Sequence, residues 1–370
     1  MAMLAVVILI GAIALIAVLT MLVLRFYPAF GGRPNEQTQA RMLRSAQYAK
    51  GKFENQLPTS MSMSMREYLS TAGEFIRGNP GGRPAKALTS NAIDPRSLHA
   101  AQKAKVTWFG HSAMLLELDG KRLLLDPMLG QAPSPFPWIG GKRFSDKLPI
   151  EIEALPAIDA VIFSHDHYDH LDYSSIQRLK DKVGRFFVPL GVAAHLVRWG
   201  VSPDRIEEFD WWEEIVWESI TLACTPARHF SGRGLADRNN TLWCSWIIHG
   251  QEARIFFSGD SGYGPHFKEI GNKYGPFDLT LMECGQYDTR WAAIHMLPEE
   301  TVQAHLDVKG SLMIPIHWGG FKLALHDWRD PAERAVKAAH ASNVRIATPR
   351  IGEPVTIGGA SYPTAAWWRE

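Results

Sequence analysis

The stretch SHDHYDHLD at residues 164–172 decides the reading of this chain. It follows an apolar run, 157–163, with the length and texture of a buried strand. Two histidines two residues apart in extended chain point the same way, so His165 and His167 can grip one metal ion. Asp169 and His170 fall on the turn into the next element and can face a second ion. Imidazole and carboxylate suit zinc or iron better than magnesium, which takes all-oxygen shells. Three imidazoles and two carboxylates crowded at a strand end without a cation would leave costly, poorly paired polar groups. A metal site is expected here. Asp172 or Ser174 then caps a helix whose inner face carries Ile176 and Leu179.

The same grammar recurs along the chain. The run 220–225 leads to Arg228-His229, 253–257 ends in Ser258-Gly259-Asp260, and 311–316 ends in His317. Each reads as a strand whose following loop begins with a metal-ligating side chain, held rigidly by a sheet and exposed by a loop. Upstream, 106–109, 113–118 and 122–125 read as strands, with Asp119-Gly120 as a hairpin turn. His99, His195, His249, His266 and His340 stand outside this pattern and are read as ordinary core or surface residues.

Composition bounds the rest. The 370 residues are 46% apolar and 21% charged, enough for a sizeable core. The 39 basic and 38 acidic residues nearly cancel, so no chain-wide field exists to hold nucleic acid. Cys224, Cys244 and Cys284 are too few and scattered for a disulfide framework or zinc finger. They read as reduced, buried thiols, which favours a cytoplasmic setting.

Residues 1–24 carry no charge, interrupted only by Gly11 and Thr20, and are long enough to span a bilayer as a helix. A basic leader and a cleavage site are missing, so an uncleaved anchor is expected rather than a signal peptide. Arg25, Arg33, Arg41, Arg44, Lys50 and Lys52 follow it, which places the remainder on the cytoplasmic side. Tyr27 and Phe30 sit where interfacial aromatics belong. The division expected is 1–25 anchor, 26–104 extension packing on the domain behind it, and 105–370 catalytic domain. Within the extension, the Met/Ser alternation at 60–65 breaks the pattern, and 65–76 can form one amphipathic helix.

At the ligand motifs the chain resembles the metallo-β-lactamase superfamily: SHDHYDHLD (164–172), then His229, GDSGYGP (259–265) and IHWG (316–319). From about 105 to 330 it resembles the N-acylphosphatidylethanolamine-hydrolysing phospholipase D branch. VTWFGHS (106–112), DPM (126–128), GGKRF (140–144), FDWWEE (209–214), LWCSW (242–246), EIGNKYGPFDL (269–279) and HMLPEE (295–300) carry that likeness. The resemblance implies an α/β fold, an αββα sandwich behind the membrane helix, with two metals at one edge between the sheets. It implies that His165, His167 and His229 hold the first zinc, that Asp169, His170 and His317 hold the second, and that Asp260 bridges both. Iron or manganese fit the same donors.

Two such metals, ~3.5–4 Å apart, lower the pKa of a shared water and stabilise the charge that develops on the reacting oxygens. The activity implied is hydrolysis of N-acylphosphatidylethanolamine to phosphatidic acid and an N-acylethanolamine. Ligating imidazoles need acceptors to orient them, and Asp126, Asp166 and His111 fit that role by position; Asp126 is equally well placed as a turn residue before Pro127. Asp166 is counted with Asp260 and His295 among the catalytic candidates. His295 resembles the family's substrate-side histidine, and Tyr287 and Arg290 are read either as headgroup contacts or as residues that only pack. Trp211, Trp212 and Trp217 are read either as lipid-facing or as core aromatics.

Three functions stay open at this stage. The first is a membrane-anchored phosphodiesterase acting on a membrane phospholipid, with the bilayer as its other partner and no role in nucleic acid. The second is a lactonase or soluble phosphate-ester hydrolase. The third is a non-catalytic, membrane-tethered metal-binding protein, disfavoured because structural zinc sites are closed and rich in cysteine.

Overall fold

The computed structural model describes residues 1–59, 64–98 and 103–370. The Met/Ser alternation at 60–63 and His99 lie outside the described residues.

Two sheets stack face to face. The first has seven strands in the order Pro354–Thr356, Lys105–Trp108, Met114–Leu118, Lys121–Leu125, Ile158–Ile162, Val183–Pro189 and Ile206–Phe209. Its outer three strands are antiparallel and the rest run parallel from Lys121–Leu125 onward. The second has six strands in the order Gly310–Ile316, Phe277–Glu283, Arg254–Phe257, Ser245–His249, Ile220–Thr225 and Glu214–Trp217.

Both faces of the first sheet are buried. Leu123 and Leu125 belong to the core between the sheets, while Leu124 belongs to a second core under the helices Tyr173–Leu179 and Ala193–Arg198. Successive strand residues point to opposite faces, so a sheet covered on both sides reads as a continuous apolar run. The LLL of 123–125 and the AVI of 160–162 are such runs. On the far side, the helix Pro298–Asp307 packs on Phe277–Glu283 and Gly310–Ile316 and against the helix Asp330–Ala341. The result is the αββα layering that the resemblance implies.

Each of the seven strands read from the sequence is present to within a residue or two at its ends, and Asp119-Gly120 makes the hairpin turn. Asp172 is the N-cap of Tyr173–Leu179; its side chain accepts from Ser175 N. Trp211 and Trp217 are core aromatics. Trp211 donates from Nε1 to the Trp243 carbonyl, and the Trp217 ring lies edge-on to Phe187. The three cysteines are free and buried.

Residues 2–26 form one helix of 25 residues with no buried side chain, long and apolar enough to cross a membrane. The chain after it lies against the domain. Arg233 donates from Nε and Nη2 to the Ala29 carbonyl, Trp199 Nε1 donates to the Pro28 carbonyl, and Gly32 N donates to His195 Nδ1. Asn55 then bonds both the backbone of His229 and the indole of Trp243.

Candidate metal centre

Topology brings the ligand loops together. Ile220–Thr225 and Arg254–Phe257 run the same way, separated by the antiparallel Ser245–His249, and Phe277–Glu283 and Gly310–Ile316 are parallel to Arg254–Phe257. The carboxyl ends of all four therefore share one edge, where parallel strands present their functional loops. His229, Asp260, Glu283 and His317 lie there. The loop after Ile158–Ile162 faces them from the first sheet with His165, His167, Asp169 and His170.

Two groups of donors form within reach of single ions. His165, His167, His229 and Asp260 make one; His111, Asp169, His170 and His317 make the other. In the first, His167 Nδ1 lies 2.9 Å from His165 Nε2 and 3.2 Å from His229 Nε2. In the second, Asp169 Oδ2 lies 3.1 Å from His317 Nε2 and 3.4 Å from His170 Nε2. Asp260 Oδ2 stands between them, 3.1 Å from His170 and His317 Nε2 and 3.8 Å from His165 and His229 Nε2.

The donor chemistry fits metal ions. His229 Nδ1 donates to the Ile294 carbonyl, which fixes the proton on Nδ1 and leaves a bare lone pair at Nε2, aimed at another ring nitrogen. Burial disfavours the imidazolium of His165 and His229 and lowers both well below the ordinary value; it lowers His167 to about 4. Neutral imidazole is the ligating form. His165 Nε2 and His229 Nε2 both converge on His167 Nδ1, which carries at most one proton, so at least one of these contacts sets lone pair against lone pair, and a cation would relieve it. His170 makes the same point from the other side. Burial pushes its pKa down, but Asp260, Asp169 and Asp126 together overcome that and hold it well above the usual value. The excess negative charge is what a bound cation would balance. Asp260 Oδ1 is buried without a hydrogen-bond partner among the described residues.

The supports are in place around these donors. Asp126 accepts from His170 Nδ1 at 2.7 Å and from Ser164 N at 2.7 Å, and Ser164 Oγ, also bonded to Asp126, reaches His165 Nδ1 at 2.9 Å. One carboxylate thus orients an imidazole of each group. The turn reading of Asp126 holds as well, since its φ is +38°. His111, at φ +57°, meets Asp169 Oδ2 from Nε2 at 2.9 Å, and burial followed by the His317 charge lowers its pKa to about 3. His317 and Gln286 also sit at positive φ, +66° and +62°. Four non-glycine residues in this region, all at one rim, mark backbone strain held by the surrounding structure. Gly259 permits the closeness: a Cβ there would meet Ser164 Cβ at 2.6 Å.

Three of the candidate residues stand outside the cleft. Asp166 does not reach the reacting region; its carboxylate is taken by Gly232 N, Thr241 Oγ1 and His195 Nε2, so it ties the 165–170 loop to the 229–241 loop. Tyr287 is buried with its hydroxyl on Asp330 and its ring stacked on His326. Arg290 is held by Asp288 at 2.7 Å and by Glu74 at 3.1 Å. Neither lines the cleft. His295 does, with its ring 4.9 Å from His229 and 5.1 Å from His317.

Glu283 is the residue the sequence reading missed. It is fully buried, accepts from Met296 N at 2.8 Å, and meets His295 Nδ1 at 3.0 Å. Burial, then the Asp260 charge, holds its pKa well above the carboxylate range. The signal was present, because Phe277–Glu283 is another apolar strand ending in a ligand-type residue. The cleft above has a floor of His167, Asp169, Asp260, His295 and His317, and walls of Phe230, Trp291, Ile294 and Leu323 beside Gln286.

The model of the β-lactamase superfamily domain matches residues 121–318. A protein of Mycobacterium tuberculosis is 43% identical over 350 residues, 92% of this chain and 92% of its own. The N-acyl-phosphatidylethanolamine-hydrolyzing phospholipase D 1 of Caenorhabditis elegans is 35% identical over 253 residues, 65% of this chain and 71% of its own. Among solved structures, an isothiocyanate hydrolase from Delia radicum gut bacteria superposes with a TM-score of 0.55 at 20% identity, covering 68% of this chain and 98% of its own. This chain belongs to the β-lactamase superfamily of metal-dependent hydrolases, in the branch that resembles the N-acylphosphatidylethanolamine-hydrolysing phospholipases D.

Proposed function

We propose that the protein is a membrane-anchored phospholipase D-type phosphodiesterase that releases N-acylethanolamine and phosphatidic acid from N-acylphosphatidylethanolamine. The observation that carries this reading is Asp260 Oδ2 set within 3.1–3.8 Å of imidazoles from both donor groups, on the floor of a cleft whose walls are apolar. A charged floor under apolar walls suits a substrate with a phosphodiester at one end and acyl chains at the other. The name of the Caenorhabditis elegans relative points to the same substrate.

In this reading His165, His167 and His229 would hold one divalent ion, Asp169, His170 and His317 would hold a second, and Asp260 would serve both. Zinc fits the donors best. Bound ions of this kind supply hydroxide at neutral pH and neutralise charge on the phosphoryl oxygens. The chain's own residues do the positioning. Asp126 and Ser164 fix the rotamers of His170 and His165, and His111 fixes Asp169. His295 lies beside the cleft floor and, backed by Glu283, is placed to hydrogen-bond the phosphate or the leaving oxygen. Phe230, Trp291, Ile294 and Leu323 exclude water around the ester. The helix Ala2–Phe26 spans the membrane, and the basic residues that follow it set the hydrolase domain on the cytoplasmic side.

The test is hydrolysis of N-acylphosphatidylethanolamine in mixed micelles, with products identified by mass spectrometry. Wild type is expected to yield both products, and Asp260→Asn and chelated protein neither. Metal-loaded protein that ignores this lipid but cleaves a soluble ester or lactone without micelles would replace the proposal.

A further inference from the structure

The helix Met65–Arg77 is amphipathic and lies on the domain with its polar side inward. Arg290 donates to Thr71 Oγ1 at 2.8 Å and to Glu74 Oε2 at 3.1 Å, and Thr71 is the helix's buried residue. At 3.6 residues per turn, Met65, Tyr68, Leu69, Ala72, Phe75 and Ile76 fall in one arc of about 120°, centred roughly 135° away from the docked side. That stripe faces outward, with Leu69 68% and Ile76 87% exposed. Helices on water-soluble domains bury this face. One that presents it has a second apolar phase to meet.

Two loops carry further exposed apolar side chains. Trp138 is 74% exposed, and its ring lies 5.5 Å from Phe136, which stacks at 4.9 Å on Tyr27, the residue that ends the N-terminal helix. Leu235 is 84% exposed, two residues beyond Arg233, whose guanidinium holds the Ala29 carbonyl. Both loops therefore touch the chain where it leaves that helix. The same elements reach the cleft. Phe230 begins the second loop, and Trp291 adjoins the Arg290 that docks the amphipathic helix; both rings line the mouth.

We propose that this rim, made by the outward face of Met65–Arg77 and the tips of the two loops, docks into the surface of the bilayer spanned by the N-terminal helix. The occupant of the face is the phospholipid surface itself. Continuity with the N-terminal helix argues for it. So do Arg66 and Arg77, which border the stripe where lipid phosphates would lie, and Trp138, of the residue type enriched at that depth. The cleft then opens toward lipid and receives an acylated substrate without its leaving the leaflet. The proposal rests on the N-terminal helix as a span, and holds whichever amphiphile is cleaved.

Full-length protein in phosphatidylcholine–phosphatidylglycerol vesicles tests it, using an environment-sensitive fluorophore on single cysteines at Leu69→Cys, Ile76→Cys and Leu235→Cys. Val216→Cys, on the exposed edge strand Glu214–Trp217, is the control. The native cysteines are buried and need not be removed. Emission at 69, 76 and 235 is expected to shift to the blue and to be quenched by lipids spin-labelled near the headgroup, while 216 stays unquenched. Probes at 69 and 76 that behave like 216 overturn the proposal. So does shielding that grows with protein concentration without lipid quenching, which would place a second copy on the face. The Leu69→Glu/Ile76→Glu variant is expected to lose roughly tenfold or more of its activity on vesicle lipid, since each buried Leu or Ile is worth on the order of a tenfold factor. Its activity on a water-soluble phosphodiester should not change. Undiminished vesicle activity would count against the docking, and failure on N-acylphosphatidylethanolamine alone would leave the fluorescence result standing.

Discussion

Replacing Asp126 by asparagine tests how the metal centre is held. The carboxylate receives protons from three sides: Ser164 N, Ser164 Oγ and His170 Nδ1. Asparagine is nearly isosteric and tolerates the positive φ of this position, so the backbone need not move. Its amide nitrogen, however, donates. Turned toward Ser164 N, it sets its own N–H against the Ser164 N–H. Turned toward His170, it forces the imidazole proton from Nδ1 to Nε2, the atom that faces Asp169 and Asp260. Either way one hydrogen bond to a buried charged group is lost, worth about 1.5–3 kcal/mol. That corresponds to roughly 10–100-fold in metal affinity, the range found when partners of ligating groups are removed. A competitive chelator titration with metal analysis reads it directly. The ion held by Asp169, His170 and His317 should weaken by that factor, and the ion held by His165, His167 and His229 by less. Two ions bound as in wild type would refute the idea that Asp126 fixes His170.

Asp260→Asn, whose carboxylate serves both donor groups, should lower metal content below two ions per chain and abolish hydrolysis while the far-ultraviolet spectrum is retained. His305, away from the centre, is buried and bonded to Thr280, and burial lowers its pKa to about 4. The unfolded chain binds this proton near pH 6.5, so stability is full above pH 6.5 and falls as pH drops toward 4, by about 2–3 kcal/mol. Urea unfolding of His305→Gln at pH 7 and pH 4.5 should show a pH difference smaller by that amount. Arg233→Lys keeps the charge but loses the fork that joins the Ala29, Asp166 and Leu171 carbonyls. Limited proteolysis should then cut after the N-terminal helix faster than in wild type, with the domain's melting temperature lowered by a few degrees.

The meeting of the candidate donors was legible because they follow apolar strands, and strand ends on parallel neighbours must meet at one edge. Residue type and order were enough there. Side-chain direction in loops was not. Tyr287 and Arg290 stand near His295 in sequence, but Asp330 and Glu74, from distant elements, capture them. Asp166 lies inside the ligand motif, yet its odd-numbered neighbours His165 and His167 share a face that it does not. Glu283 was hidden by its commonness, since a glutamate at a strand end becomes notable only when the fold buries it beside Asp260. The helix Met65–Arg77 was legible as amphipathic, but its orientation depends on Arg290, more than two hundred residues away.

If the protein is the phosphodiesterase proposed, water attacks the phosphorus of a membrane phospholipid and the ethanolamine oxygen leaves; Asp260 and the surrounding imidazoles would hold the metal ions that supply the hydroxide. The most direct measurement is turnover of N-acylphosphatidylethanolamine by the metal-loaded protein in water enriched in oxygen-18, with the products resolved by mass spectrometry. One labelled oxygen is expected in phosphatidic acid and none in the N-acylethanolamine, because the bond broken joins phosphorus to the ethanolamine oxygen. Label in a released fatty acid, or no product from fully metal-loaded protein, would contradict it.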